Sequence, residues 1–239
     1  DGSIRVIYNG ESMATTGTST QISTSAFNST YNNNMYVGYM YTSGQVHGLG
    51  TNSTIKGVLD NWYTTNIANK GYGDQVSKEA GFCGDREPST SSSTSNGSGG
   101  TGTTTTYYGG YIRLANSTKS PTLKCKNNED MYTVSGSSRG NKALTNPVGL
   151  IIADEVAVAG GMLGTNNTTY YLYTGQEYWT MSPSIFNGVA NLFSVYSGGN
   201  ISFSMGSMIG VRPVINIASD VEITGSGTST DPYVVVGAE

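Results

Sequence analysis

Gly136-Ser137-Ser138-Arg139-Gly140 has the G-x-S-x-G spacing of a nucleophile elbow, where a serine sits on a sharp turn between a buried strand and a packed helix. The residues that follow, 141–147, carry no helical pattern, and His47 is the only histidine that could act as base, so a serine triad is not expected. Ser53-Thr54-Ile55-Lys56 matches the S-x-x-K of penicillin-recognising enzymes. Their K-T-G and S-D-N partners are missing, and Ser53 reads as a helix cap. Gly97 to Gly102 fits G-x-G-x-x-G without a strand before it or a helix after it, and so offers no phosphate cradle. Asp85 with Glu87, and Glu129 with Asp130, are the closest carboxylate pairs of their region. Neither lies in the alternating acidic loop that calcium uses, and both read as solvated surface pairs. No acid, base and nucleophile come together: the expectation is a non-enzyme with no catalytic residue, no cofactor and no metal.

Two other groups could act by cross-linking or by binding. Cys83 and Cys125 flank the least patterned stretch of the chain and read as a disulfide, with two unpaired thiols as the alternative. Closing that loop would remove about 4 kcal/mol of denatured-state entropy. Metal would need more than two thiols and a distant His47. In the C-terminal third, Ile185-Phe186, Met208 and Ile209 stand in turn-like surroundings, where large apolar side chains need either a core or a partner.

Composition narrows the partner. Of 239 residues only 12% are charged, with 12 Lys and Arg against 16 Asp and Glu for a net charge of −4, which leaves no footprint for a phosphate backbone. Nucleic acid is not an expected partner. Tyr at 17 against Phe at 5 suits surfaces that bind other molecules. No apolar run reaches the roughly 20 residues that span a bilayer, so no membrane insertion is expected of this segment, and any signal or anchor is expected to lie outside it.

The elements that would position these residues are mixed. Ile55, Val58, Leu59 and Trp62 fall at i, i+3, i+4 and i+7 behind Ser53, an amphipathic helix of about four turns in which Trp62 completes the stripe. Asp154 and Glu155 suit the first turn of a second helix ended by Gly160-Gly161. Strands are expected at 4–8, with a lost partner upstream, and at 35–41, 107–114, 131–135 and 148–152. From 170 onward the chain reads as all β, at 170–173, 178–181, 191–196, 201–205, 211–217 and 234–236, with Ser197-Gly198-Gly199-Asn200 as a hairpin turn. Residues 88–106 are almost entirely Ser, Thr, Gly and Asn, and read as a surface loop. Two helices and a run of antiparallel strands without a fixed-period repeat give an α+β class.

The order of several motifs carries a resemblance. Gly210-Val211-Arg212-Pro213-Val214-Ile215-Asn216-Ile217 is preceded by Tyr178-Trp179 and Ser182-Pro183 and followed by Gly225-Ser226-Gly227 and Asp231-Pro232-Tyr233. Upstream stand 1–9, Leu59-Asp60-Asn61-Trp62-Tyr63, Gly81-Phe82-Cys83-Gly84-Asp85-Arg86 and 149–156. Together these resemble the C-type-lectin-fold variable proteins of gut Firmicutes and related bacteria, whose coding regions are diversified by retroelements. The resemblance covers most of the chain and implies one C-type-lectin-like domain over 1–239, with two helices, a twisted antiparallel sheet and long loops. It implies that 184–209 is the variable ligand-binding segment. Its presented side chains would be Ser184, Ile185, Phe186, Val189, Leu192, Ser194, Tyr196, Ser202, Ser204, Ser207, Met208 and Ile209, on a scaffold including Trp62, Trp179, Arg212 and Pro213. Ladder hydrogen bonds do not depend on side-chain identity, so such a frame tolerates diversification.

Sugar-binding members of the wider fold use Glu-Pro-Asn and Trp-Asn-Asp for calcium, whereas this chain has Glu87-Pro88-Ser89 and no Trp-Asn-Asp. Formylglycine-generating enzymes share the fold but rely on cysteines in a setting unlike that of Cys83 or Cys125. The expected function is a surface-displayed or extracellular bacterial receptor or adhesin for a protein or glycan on another cell, a phage or a host surface. A structural surface or pilus-associated component is the first alternative, and an enzyme of the formylglycine-generating type the second.

Overall fold

The computed structural model describes residues 2–12, 14–89, 99–115, 119–228 and 230–238. In chain order its strands are β1 (Ile4–Ile7), β2 (Ser23–Ser25), β3 (Met40–Tyr41), β4 (Thr51–Asn52), β5 (Phe82–Cys83), β6 (Thr106–Tyr107), β7 (Met131–Tyr132), β8 (Tyr178–Phe186), β9 (Ala190–Val195), β10 (Ile201–Ser204), β11 (Ile209–Val211), β12 (Val214–Ile217), β13 (Ile223–Thr224) and β14 (Val234–Val235). The α-helices are α1 (Thr54–Asn66), α2 (Gly109–Ala115) and α3 (Ala153–Ala159). The architecture is α+β.

Helix α1 starts where the Ser53 hydroxyl accepts from the Lys56 amide at 3.2 Å, satisfying one of the free N–H groups of the first turn. The buried stripe runs through Ile55, Lys56, Leu59 and Tyr63. Val58 and Trp62 flank it, and Trp62 is half-buried edge-on against Tyr8 with ring centroids 6.1 Å apart. The stripe is thus turned toward Tyr63, and Lys56 is buried because Asp60, one turn on, meets its ammonium at 2.6 Å.

The principal sheet has the order β10-β9-β8-β11-β2, with β6 also paired to β8. The turn at 197–200 joins β9 to β10 as expected, in register Ile201↔Val195 through Ser204↔Leu192. Trp179, opposite Ser194, lies on one face, where it packs edge-on against Phe27 and donates its indole N–H to Ser25 O at 2.8 Å. Phe193 lies on the other, against α2; a Cβ at Gly110 would stand 3.3 Å from its ring. With both faces covered, every residue of β8 and β9 is buried.

A separate ribbon ties β1 to β12 from Ile4↔Ile217 to Ile7↔Val214, so β1 finds its partner far downstream. Arg212 locks this corner. It is buried, donates to Tyr8 O at 3.0 Å and Asn9 Oδ1 at 2.8 Å, and lies over the Tyr178 ring at 4.7 Å. Pro213 accepts from the Tyr8 amide at 2.9 Å, and Arg212-Pro213 splits the expected 211–217 strand into β11 and β12.

Several expected strands take other forms. Residues 107–114 enter α2 after two strand residues, because Gly109-Gly110 lets a helix approach the sheet and Arg113 finds two carboxylates there. The start of 35–41 is a 3-10 turn, Asn34–Val37, capped by Asn33 at the Met35 amide, and only Met40–Tyr41 are strand. Residues 148–152 form no strand, although Val148 and Leu150 are fully buried, and 170–173 close a turn. Of the expected 88–106 loop, 90–98 lie outside the described residues, and with them the start of the Gly97 to Gly102 motif. The described end is anchored: buried Asn34 donates to the carbonyls of Thr101, Gly102 and Thr104 at 3.2, 3.1 and 2.7 Å.

Candidate ligand-binding face

Burial divides the expected binding residues. Ser184, Ile185, Phe186, Leu192, Ser194 and Ile209 are buried, which corrects their assignment to a presented face. The physical reason is that β8 and β9 are interior strands. Strand β6 covers Ile185 and Phe186 by pairing Tyr107↔Ile185 and Thr106↔Phe186, and Phe186 packs with Val37, Tyr108 and Ala190. Leu192 and Ile209 belong to the main core. The Ser194 hydroxyl turns to Glu177, which also accepts from Ser204 at 2.7 Å and so clips β10 to the strands beside it.

Val189, Ser202, Ser204 and Ser207 are partly exposed. The open part of the segment is Tyr196, Phe203, Met205 and Met208, at 49, 45, 46 and 65% exposure, on edge strand β10 and the turns flanking it. Tyr31, 42% exposed, joins them from a remote part of the chain. Its ring lies where a Cβ on Gly206 would come within 2.6 Å, so only glycine admits it, and its carbonyl accepts from the Ala190 amide at 2.7 Å. Phe203, Met205 and Tyr31 escape a reading of sequence that looks for hydrophobics inside strands; the surplus of Tyr was the available signal. The turn before β9 is held by Asn191, whose amide donates to Ile185 O, Asn187 Oδ1 and Val189 O at 3.2, 3.2 and 3.1 Å.

Ser138 donates its hydroxyl to Glu79 at 2.7 Å within a turn, without the strand and helix an elbow needs. Ser53 is a cap. Cys83 and Cys125 form the disulfide, with Cα atoms 5.5 Å apart.

Asp85 and Asp130 are not solvated, which corrects that expectation: both are buried against arginines that sequence spacing does not pair with them. Arg86 donates Nε to Asp130 at 2.8 Å and Nη1 to Met40 O and Gly48 O at 2.8 and 3.0 Å. Arg113 donates twice to Asp154 at 2.8 Å and also meets Asp85. Burial pushes Asp85 up to about 6, with Arg113 pulling the other way.

His47 sits with its Nδ1 3.0 Å from Asp130 and its Nε2 3.4 Å from Glu87. Pairing with Asp130 raises the imidazole above its ordinary 6.5, against the effect of burial. Burial alone would raise Asp130, yet His47 and Arg86 hold it below 3.8. His47 opens onto a cavity of about 410 Å³ shared with Val46, Leu49, Asn128 and Asn141, none of which supplies a nucleophile. Among the described residues, no group of three or more His, Cys, Asp or Glu is placed to hold a metal ion, and no helix is long and apolar enough to cross a membrane.

No family model matches the chain, and no curated protein or solved structure matches it either.

Proposed function

We propose that the chain is a surface-displayed bacterial binding protein of C-type-lectin-like fold, a variable protein of the retroelement-diversified kind, and that it binds without catalysis. The observation that carries this reading is the exposure of Tyr196, Phe203, Met205 and Met208, with Tyr31, on a frame whose backbone is fixed by β9, the Glu177 clip and the Asn191 turn. Large aromatic and thioether side chains held open to solvent are the usual anchors of recognition, and methionines adapt to varied partner shapes. The same chemistry favours a protein partner, or the apolar face of a glycan, over calcium-dependent sugar binding. A disulfide is in keeping with an oxidising, extracellular setting.

The test uses a variant with Tyr196, Phe203, Met205 and Met208 all changed to Ser. Labelled wild type should stain intact bacterial or epithelial cells, or spots of a printed glycan array. The variant should lose at least roughly tenfold in binding, about the effect of one lost anchor, while its thermal midpoint stays within a few degrees. Equal staining by variant and wild type, or an unfolded variant, would remove this face from the proposal.

A further inference from the structure

On the side of the molecule where β1 and β12 meet the disulfide lies a cavity of about 270 Å³, lined by Arg5, Glu79, Arg139, Glu155, Asn216 and the Cys83–Cys125 bridge among others. No motif in the sequence draws attention to it, because its walls come from β1, β12, the turn at 136–140 and the start of α3. Hydrogen-bonding capacity shows what it lacks. Glu155 is engaged with Arg5 Nε at 2.7 Å and with the Ile152 amide at 2.9 Å. Glu79 accepts from the Ser138 amide at 3.0 Å and from its hydroxyl at 2.7 Å. The acceptors are therefore occupied.

The donors are not. Asn216 is 4% exposed, and its Nδ2 has no acceptor. An unmade bond at a buried amide is a cost that a fold does not carry without cause. Arg139 is exposed, and among the described residues its guanidinium closes no salt bridge, acting on Glu79 through space. Open capacity of one kind calls for a ligand of the opposite kind, here an oxygen acceptor with negative charge. Two arginines against two glutamates leave the lining formally neutral, so a singly charged anion fits better than a phosphate facing two carboxylates.

We infer that this cavity is a binding site for a small carboxylate, taken by the Asn216 amide and the Arg139 guanidinium, either as a free acid or as the end of a peptide. It is separate from the face around Tyr196, and it stands or falls independently of the function proposed for that face. The size of the cavity, just under the range usual for drug-sized ligands, matches a single carboxylate-bearing group.

The test follows the Asn216 side-chain NH₂ signal in ¹H–¹⁵N spectra of the intact chain, identified by its loss in Asn216→Leu. Sodium acetate represents the free acid; triglycine and its C-terminal amide represent the peptide end; sodium chloride at equal ionic strength is the control. Saturable shifts with acetate or with triglycine, and none with the amide or chloride, support the site, and the titrant that saturates names the source. Arg139→Gln should weaken binding roughly tenfold or more, as expected for one charged hydrogen bond. Should Asn216→Leu not fold, Arg139→Gln, at an exposed position, carries the test alone. A signal that moves no further with either carboxylate than with chloride, or an unchanged affinity in Arg139→Gln, overturns the inference and leaves Asn216 to a bound water.

Discussion

Residues 80–155 and residues 178–217 contribute to the same buried core but are held in different ways. Among its described residues the first region has two-residue strands, the short helix α2 and the start of α3, and its interior is crossed by Arg86–Asp130, Arg113–Asp85–Asp154 and a disulfide. The second has the long strands β8 and β9, whose backbone groups satisfy one another; its buried polar side chains are neutral hydroxyls and amides except for Arg212, which stands where the ladder breaks between β11 and β12. A chain with 12% charged residues has thus put many of its ions inside, where regular ladders are missing. Backbone carbonyls in irregular segments still need donors, and an arginine fork serves several at once, as Arg86 does for Met40 and Gly48.

The comparison predicts where the molecule breaks. The largest effect is expected for Asp130→Ala, which strands the buried Arg86 and leaves His47 only Glu87; removing one partner of a buried pair costs about 3–5 kcal/mol, read as a shift of the urea midpoint. Replacing Cys83 and Cys125 together by Ser should cost about 4 kcal/mol, because the loop released from the denatured-state constraint is long. If that double variant keeps the wild-type midpoint, the irregular region does not depend on its cross-link.

Leu192→Ala tests the other region. As a core residue it should lose about 2–5 kcal/mol, whereas a presented ligand contact would lose about 0.5 kcal/mol or less. A midpoint near wild type would return Leu192 to the binding face.

The pH response should separate the regions more gently. His47 has a folded value raised above 6.5, so its contribution is fully present below 6.5 and is lost as pH rises through the higher folded value. Asp85, raised to about 6, also disfavours the folded state increasingly as pH climbs from about 4 to 6. Asp130 acts in the opposite sense, stabilising above 3.8 and failing only in stronger acid. Urea midpoints should therefore fall between pH 6 and pH 9, and His47→Gln should flatten that fall; an equal slope in the variant would exclude His47 as its source. The smallest effect is expected on β10, where Phe203→Ser alone should move the midpoint by about 0.5 kcal/mol or less.

Local signals were legible. Ser53 before an i, i+3, i+4 pattern marks α1, the 197–200 turn marks the β9–β10 hairpin, and Asp154-Glu155 marks the start of α3. Each depends on bonds within a few residues, which the order of residue types specifies directly. Misreadings fell where a distant group decided the outcome. Residues 107–114 alternate well enough for a strand but become α2 because Phe193, Asp85 and Asp154 wait where a helix places Gly110 and Arg113.

The binding face shows the same division. Strand propensity located β9 and β10 from sequence, yet side-chain alternation within an interior strand says nothing about which faces are covered. That Leu192 and Phe186 are core while Phe203 and Met205 are open was decided by β6 pairing with one end of β8 and by β10 lying at the end of the sheet, where residues 162–164 bond only to its first residue, Ile201, among the described residues. By itself the sequence determined the class of elements, the hydroxyl-rich and charge-poor surface, and the two cysteines able to pair. Only the tertiary structure decided which carboxylates meet arginines and which aromatics meet solvent, because those contacts join residues tens of positions apart and their energies depend on burial that no local pattern encodes.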